Sequence, residues 1–504
     1  MTDTTTPAPK MTATPMTTEH RETLVSAILE DLERWGAPAP ARASAERLRQ
    51  EGAVAVVTGQ QAGLAGGPLY TLDKAESAVA EAVARESAEP ESVVVPVFWI
   101  EGDDHDFDEV RGVGLLDPSG EYHRIMYGEA DERRISIARR PVDPDAFERF
   151  LDELFAALGT TDFSEKTRQG LRDAYLGPLA DGAEGPITLV DGFARYLYDL
   201  LGETTPLVLL SSNNRRLKGL ATERFIATAL DVEQHHDAVV AQTEALRVAG
   251  EVTPITPRAG HLFLQHDQER TPLDVEGEGY RLRGTDRTMT RQEVATIAQE
   301  RPEDLSPNVM LRPIVQDTIL PTILYVGGPT EVAYLRQLAL LYEAHGVVMP
   351  QVVRRASKLI VEPKVERALA KSGQSLEVLL PDDFDAAVLL VDEEQEGLID
   401  AAAGLSRTEL AAIFARLADL ASTIDPSLTK AAGAAGARAT KELESTIGRL
   451  KGSLKRQRQT DIDRLESAHA LLKPRGNPQE RQLAAPYYRN RFGRDIPTPR
   501  ELPI

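Results

Sequence analysis

Residues 54–74 read VAVVTGQQAGLAGGPLYTLDK, and residues 93–110 read VVVPVFWIEGDDHDFDEV. Val54 to Val57 is a short apolar run without polar alternation, which predicts a strand buried on both faces. A glycine-rich loop, Gly59 to Gly67, follows it, and Leu72, Ala75, Val79, Ala82 and Val83 then recur at helical spacing. Val93 to Ile100 predicts a second buried strand. Strand, loop, helix and strand in this order make a βαβ unit, whose right-handed crossover implies a parallel sheet.

The pattern returns downstream. Leu207 to Leu210 predicts a strand running into SSNNRRLKG and a helix, and Ile323 to Val326 a strand running into GGPTE and a helix through Ala344. A strand near Val347 to Val353 follows, so the core reads as an open α/β sheet assembled from separated pieces. Two insertions interrupt it. From about 112 to 185 the chain is polar and mostly helical, with Phe147, Phe150, Leu151, Leu154, Phe155 and Leu158 on one face. From about 248 to 291, short segments such as HLFLQ and YRLRG predict a small antiparallel meander. Near the C-terminus, Asp425 and Pro426 form a helix start, and no proline recurs until Pro474. Leu443, Ile447, Leu450, Leu454, Ile462, Leu465 and Leu472 begin as a heptad seam and relax into eleven-residue steps. A shorter helix, Leu405 to Ile424, completes a possible antiparallel hairpin whose aliphatic residues favour self-association. The expected organisation is a disordered Thr- and Pro-rich tail at 1–20, a core over 21–400, a helical arm over 401–473, and a segment over 474–504 that returns to the core.

A chain of 504 residues is long enough for about three domains. Its net charge of −22 disfavours a nucleic-acid partner. The absence of cysteine excludes disulfides, thiolate metal sites and cysteine nucleophiles, and fits the cytoplasm. No apolar run approaches the roughly 18 residues of a membrane helix, so a soluble protein is expected.

In open α/β sheets ligands bind beyond the carboxyl ends of the strands. In the loop Thr58–Lys74 the glycines satisfy neither a dinucleotide fingerprint nor a P-loop. Gly59, Gly63 and their neighbours would still let backbone N–H groups approach an anion. Thr58, Gln60 and Gln61 would add neutral polar groups and Lys74 a positive charge; the alternative is a tight turn and nothing more. After the second strand, Asp103, Asp104, His105, Asp106, Asp108 and Glu109 crowd like charges that would raise some carboxylate pKa values and favour a protonated histidine. That is the setting of a general base or a cation site; the alternative is a solvated helix start at Asp106 to Glu109. One histidine is too few for zinc, and no metal ligand set is assigned. SPNVMLRPIVQD supplies Asn308, Arg312, Gln316 and Asp317, and YVGGPTEVAY supplies Gly327, Gly328, Glu331 and Tyr334. Arg312 is either an ion-pair partner or an anion anchor. The basic run Arg449, Lys451, Lys455, Arg456 and Arg458 reads as a solvated helix face, and His235 and His236 as structural.

TGQQAG with GGPLYT and Lys74, PVFWIEGDDHDFDEV, SPNVMLRPIVQD, YVGGPTEVAY and PRGNPQER, in this order from about Glu51 to Phe492, resemble the bacillithiol biosynthesis cysteine-adding enzymes, a cysteine ligase family. Two positions depart from its pattern. Ala65 stands where an aromatic residue is frequent, which would widen the pocket mouth, and Asp103 stands where Glu is common. The resemblance implies a Rossmann-like core with two connecting insertions and a C-terminal coiled coil that forms a homodimer. It also implies the joining of cysteine to the amine of glucosaminyl-malate, giving bacillithiol. Such a core is similar to that of nucleotidyltransferases and class I synthetases, with Gln60 and Gln61 where those enzymes use histidines. ATP follows by fold analogy alone, and the cofactor is otherwise unknown. For amide formation Asp104, His105 and Asp106 are the base candidates, Lys74 and Arg312 the anchors, and Gln60 and Gln61 would orient cysteine or a phosphate. Two other readings compete with this one: a nucleotide-dependent transferase or synthetase for another amine, and a non-catalytic dimeric coiled-coil scaffold.

Overall fold

Strand β1 (Val54–Gln61) has Ala55 to Gly59 fully enclosed, as a strand between two parallel neighbours must. The computed structural model describes residues 12–180, 185–389 and 393–502. On one side β1 pairs in parallel with β2 (Val94–Glu101), from Val54 opposite Val94 to Gln61 opposite Glu101. Gly59 permits this register, because a Cβ there would stand 2.9 Å from the carbonyl oxygen of Trp99. Pro96 is tolerated in β2 because pairing with β3 (Val208–Ser211) begins only at Val97. On the other side β1 pairs with β4 (Thr322–Gly327), which pairs with β5 (Gln351–Arg354). The order β5-β4-β1-β2-β3 is that of a Rossmann-like sheet, with its reversal between β1 and β4. Helix α1 (Tyr70–Ala88) links β1 to β2, and its Ala78 and Ala82 pack with Val56, Val94, Leu324 and Val326.

The predicted strands are all present, shifted by a few residues, and β1 runs on through Gln61 into the predicted loop. The first insertion opens with an antiparallel hairpin, Gly112–Leu116 with Tyr122–Met126, that the helical reading missed. Its helix Pro144–Leu158 is capped by Asp143 and buries Phe147, Phe150, Leu151, Leu154 and Leu158, with Phe155 at the rim. The second insertion is an antiparallel sheet of five strands and extends past Arg291. Its order is Leu305–Pro307, Leu262–His266, Glu269–Glu276, Gly279–Leu282, Thr288–Thr290. Of the predicted tail, residues 1–11 lie outside the described residues. Thr12 onward is not a free tail: Thr14 Oγ1 accepts from Val348 N, and Thr17 caps a helix spanning Thr18–Arg34.

The chain divides into two compact units, Met1–Leu359 with Gln479–Ile504, and Ile360–Pro478. The helical unit therefore starts some forty residues before the predicted 401. Helix Pro363–Ser372, which carries no heptad, buries Val365, Ala368 and Leu369 and packs against the long helix. In this unit α2 (Glu393–Ile424) and α3 (Leu428–Leu472) form the expected antiparallel hairpin, tied by Arg407–Glu444 and Lys451–Asp400 ion pairs, both at 2.6 Å. Asp425 accepts from Ser427 N, so Pro426 belongs to the turn and α3 starts two residues later than predicted. Ile447, Leu465 and Leu472 are buried inside the unit, whereas Leu450 of the same seam is 53% exposed. The longer exposed apolar stripe lies on α2, through Leu398, Leu405, Ile413, Leu417, Leu420 and Ile424.

His235 and His236 are structural, and they belong to a larger group in the first unit. The rings of His235 and His345 stack with centroids 4.0 Å apart, and His261 is equally buried. Burial, with the neighbouring histidines, pushes His261 down from 6.5 to about 4 and His345 further still, where Arg224 adds to the effect. The folded chain thus keeps these rings neutral where the unfolded chain takes up protons. Stability is complete above about pH 6.5 and falls as the pH drops toward 4, by on the order of 3 kcal/mol for His261 alone. Denaturation midpoints measured between pH 7.5 and 4.5 should show this slope, and His261→Gln should reduce it, leaving the part due to His345 and His235.

Candidate active site

A cavity of about 890 Å³ opens at the carboxyl ends of β1, β2 and β4, where the strand order reverses. Gly59, Gln60, Gln61, Lys74, Asp104, Asn308, Arg312, Gly328 and Glu331 line it, so nine of the predicted residues converge there from five separated segments. The antiparallel sheet closes one wall with Leu262, Phe263 and Arg270.

The acidic loop does not act as one cluster, because each charge turns to its own partner. Asp103 is buried against Lys218 Nζ at 2.8 Å. Asp106 caps the short helix Phe107–Val110 by accepting from Glu109 N, and Asp108 pairs with Arg111. Asp106 is thus the helix start of the alternative reading, away from the cavity. Asp104 does reach the cavity. Burial would raise its pKa, but the Gln61 amide, Arg270 and the His105 N–H outweigh burial and hold it below the usual carboxylate range. Glu109 also accepts from Gln61 Nε2 and is pushed up by burial.

His105 departs from the expected imidazolium. Its Nδ1 lies 3.1 Å from Arg270 Nη1, and a guanidinium only donates, so Nδ1 must be the unprotonated acceptor. Burial first and Arg270 next lower the His105 pKa, overriding Asp104. In that neutral tautomer the proton sits on Nε2, which leaves no ring nitrogen free to act as a base. Arg270, which no local motif signals, is held by Ser306 Oγ at 2.8 Å and by the Pro307 carbonyl at 2.6 Å. Its guanidinium stacks 3.8 Å over the Phe263 ring.

On the opposite wall Lys74 is buried, with Gly59 O at 2.8 Å, Gln60 Oε1 at 2.9 Å and Glu331 Oε2 at 2.5 Å around its ammonium. Burial lowers its pKa against the pull of Glu331. Three acceptors already satisfy it, so Lys74 is a structural ion-pair partner more than a free anchor. Glu331 further accepts from Gly328 N and Tyr325 OH, which caps helix Pro329–Arg336 from within. Arg312 differs. It donates to Tyr334 OH at 2.8 Å and to Gln316 Oε1 at 3.0 Å, both neutral. Among the described residues no carboxylate lies within 4.0 Å of it. Gln316 and Asp317 stand behind the wall, where Gln316 bonds Asp317 and Tyr342 OH donates to Asp317 at 2.6 Å. Burial pushes Asp317 up to about 6. These two residues hold Arg312 in place and do not face the cavity. Asn308 borders the cavity, but its amide is spent on Met310 N, Leu311 N and the Gly260 carbonyl.

Only the start of the glycine-rich loop belongs to the site. Thr58 Oγ1 donates to the Val326 carbonyl inside the sheet. Beyond Gln61 four N–H groups are taken: Gly63 by Gln61 O, Ala65 by Tyr175 OH, Gly67 by Leu64 O and Leu69 by Leu483 O. Ala65 is fully buried and lies away from the cavity mouth. The tight-turn reading therefore holds for Gly63 to Gly67, and the anion cradle expected there is absent. Residues missed from the sequence are Arg270, Tyr70, Arg355, Arg481 and Glu101, all cavity-lining. Glu101 ends the buried strand β2, a position that could have been singled out.

The sheet, its crevice at the reversal point and the separate helical hairpin define a Rossmann-like α/β enzyme with a coiled-coil domain. Family models for the bacillithiol biosynthesis BshC N-terminal Rossmann-like domain and C-terminal coiled-coil domain match residues 8–356 and 358–498. The chain belongs to the bacillithiol biosynthesis BshC family. It is 33% identical to a Salinibacter ruber protein and 32% identical to one from Chlorobaculum tepidum, with 94% of this chain and 84% of each relative aligned. A Symbiobacterium thermophilum protein is also 33% identical, with 86% of its length covered. All three carry the name "Putative cysteine ligase BshC". Membership in a ligase family removes the scaffold reading: this chain is an enzyme.

Gly63 tests the corrected loop. A Cβ there would stand 2.8 Å from Gly67 Cα, so Gly63→Val should cost about 1–3 kcal/mol in chemical denaturation. Ligand affinity of the folded variant should stay near wild type, because the loop's buried half does not face the cavity.

Proposed function

We propose that this chain joins cysteine to the amine of glucosaminyl-malate, the last step of bacillithiol formation. The observation that carries the proposal is Arg312, a guanidinium on the cavity wall whose hydrogen bonds go to neutral groups and which has no carboxylate within 4.0 Å among the described residues, which suits a substrate carboxylate. The relatives' name adds cysteine ligation, and the malate part of the amine substrate brings two carboxylates. Arg270 on the antiparallel-sheet wall already has the Asp104 carboxylate 3.8 Å away, and Gln60 and Gln61, which also line the cavity, would orient neutral polar groups. Forming an amide from a carboxylate needs activation. A nucleoside triphosphate such as ATP would supply it, and the crevice at the strand reversal is where such folds bind nucleotides. That same feature favours a second reading, a nucleotide-dependent synthetase acting on another amine. The proposal places the reaction in the cytoplasm, where reduced cysteine and a nucleoside triphosphate are both available. No described helix is long and apolar enough to cross a membrane.

Purified protein incubated with cysteine, glucosaminyl-malate and ATP should yield the amide by mass spectrometry. Omission of ATP should abolish it, and product from a different amine alone would favour the second reading. Arg312→Lys, which loses the planar fork, should weaken binding of the carboxylate-bearing substrate by about 10- to 100-fold in calorimetry.

We further propose a homodimer through the α2 face. Leu405, Leu417, Leu420 and Ile424 are 47–71% exposed, and burying each contributes roughly 1.5–3 kcal/mol. Light scattering on Leu417→Lys with Leu420→Lys should report half the wild-type mass, with the α/β unit still folded.

A further inference from the structure

Arg312 is not the only charge on the cavity wall without an ionic partner. Among the described residues, no Lys, Arg or His lies within 4.0 Å of the Glu101 carboxylate. Two neutral donors hold it instead: Trp99 Nε1 donates to Oε2 at 3.0 Å and Ser212 Oγ to Oε1 at 3.1 Å. Both donors are almost fully buried, and Ser212 also accepts from Asp103 N at 3.0 Å, so the clamp is itself held in place. Each carboxylate oxygen keeps a second lone pair, and Glu101 borders the cavity. A carboxylate oriented by neutral groups, facing a cavity that the Arg312 guanidinium also lines, is a seat for a cationic group of a substrate that also bears an anion.

We propose that Glu101 seats the ammonium of the amine substrate and accepts its proton, which makes it the base of amide formation; this rests on the ligase reading above. The step balances as follows. An N–H bond of the ammonium breaks and its proton goes to a Glu101 oxygen. The electron pair left on nitrogen attacks the carbonyl carbon of cysteine, activated as a mixed anhydride with phosphate by a nucleoside triphosphate. The C–N bond forms while the C–O bond to the phosphoryl group breaks, and that leaving group takes the bonding pair and the second amine proton. The other candidates are less suited. Asp104 is held low by Gln61 and Arg270, and His105 has no free ring nitrogen. Glu101 is pushed up by burial and then by Asp103, against Arg312 and the Trp99 donor, and a base is more effective as its pKa nears the working pH. Trp99 and Ser212 are positioning residues.

The test combines calorimetry with single-turnover kinetics. Glu101→Gln should weaken glucosaminyl-malate binding about tenfold or more and leave cysteine binding unchanged. It should slow amide formation by roughly 100- to 10,000-fold and abolish the fall in rate at acidic pH. Glu101→Asp, which keeps the charge, should retain that acidic limb and so guards against a folding artefact. Ser212→Ala removes a donor to the charged form, so its acidic limb should move to higher pH, a shift that a purely structural serine would not produce. A Glu101→Gln variant with wild-type affinity and rate overturns the proposal, and so does one that loses affinity for cysteine alone. A wild-type protein that binds glucosaminyl-malate without making the amide overturns the ligase reading and the base role. Glu101→Gln then still decides the ammonium seat by its affinity.

Discussion

Both edges of β1 are occupied by parallel neighbours, and the chain leaves it toward β2 on one side while β4 arrives on the other. The connections after these strands therefore diverge, and the carboxyl end of β1 is left facing a gap that no element fills. Everything that defines the site depends on this constraint. It brings Gln60 and Gln61 to the gap's floor, Glu101 to one side and the Gly328–Glu331 helix start to the other. Gly59 maintains it, because any side chain there would push β2 away just below the floor.

Around that gap, desolvation sorts the charged groups by function. Lys74 with Glu331, Asp103 with Lys218, and Arg355 with Glu480 are buried pairs, each of which keeps a wall rigid. An isolated buried charge is costly; Glu101 and Arg312 have no ion pair within 4.0 Å among the described residues, are held by neutral groups, and feel each other's charge only at longer range. Their neutral donors and acceptors, Trp99 and Ser212 on one side, Gln316 and Tyr334 on the other, fix orientation without neutralising charge.

The helical unit follows a different rule. Its stability comes from one hairpin whose inner face is satisfied by α2, α3 and the short helices before them, with ion pairs along the flank. What it leaves exposed is a stripe on α2, together with Leu450 of the α3 seam that the heptad spacing emphasised.

Periodicity and glycine placement sufficed for the α/β class, the five core strands, both insertions and the hairpin, because burial on two faces and helical repeats leave local signatures. The same local reading reached nine cavity residues, since loops after buried strands are where such folds bind ligands. It could not separate Gly59 from Gly63, nor Asp104 from Asp106, because neighbours in sequence diverge by which partner each finds. Tertiary structure alone made that choice: it drew Arg270 from a distant antiparallel strand onto His105, and Tyr175 from an insertion onto the Ala65 N–H. Protonation states followed from those encounters. A histidine among carboxylates is cationic by composition and neutral in place, because burial and one guanidinium outweigh the acids beside it in sequence.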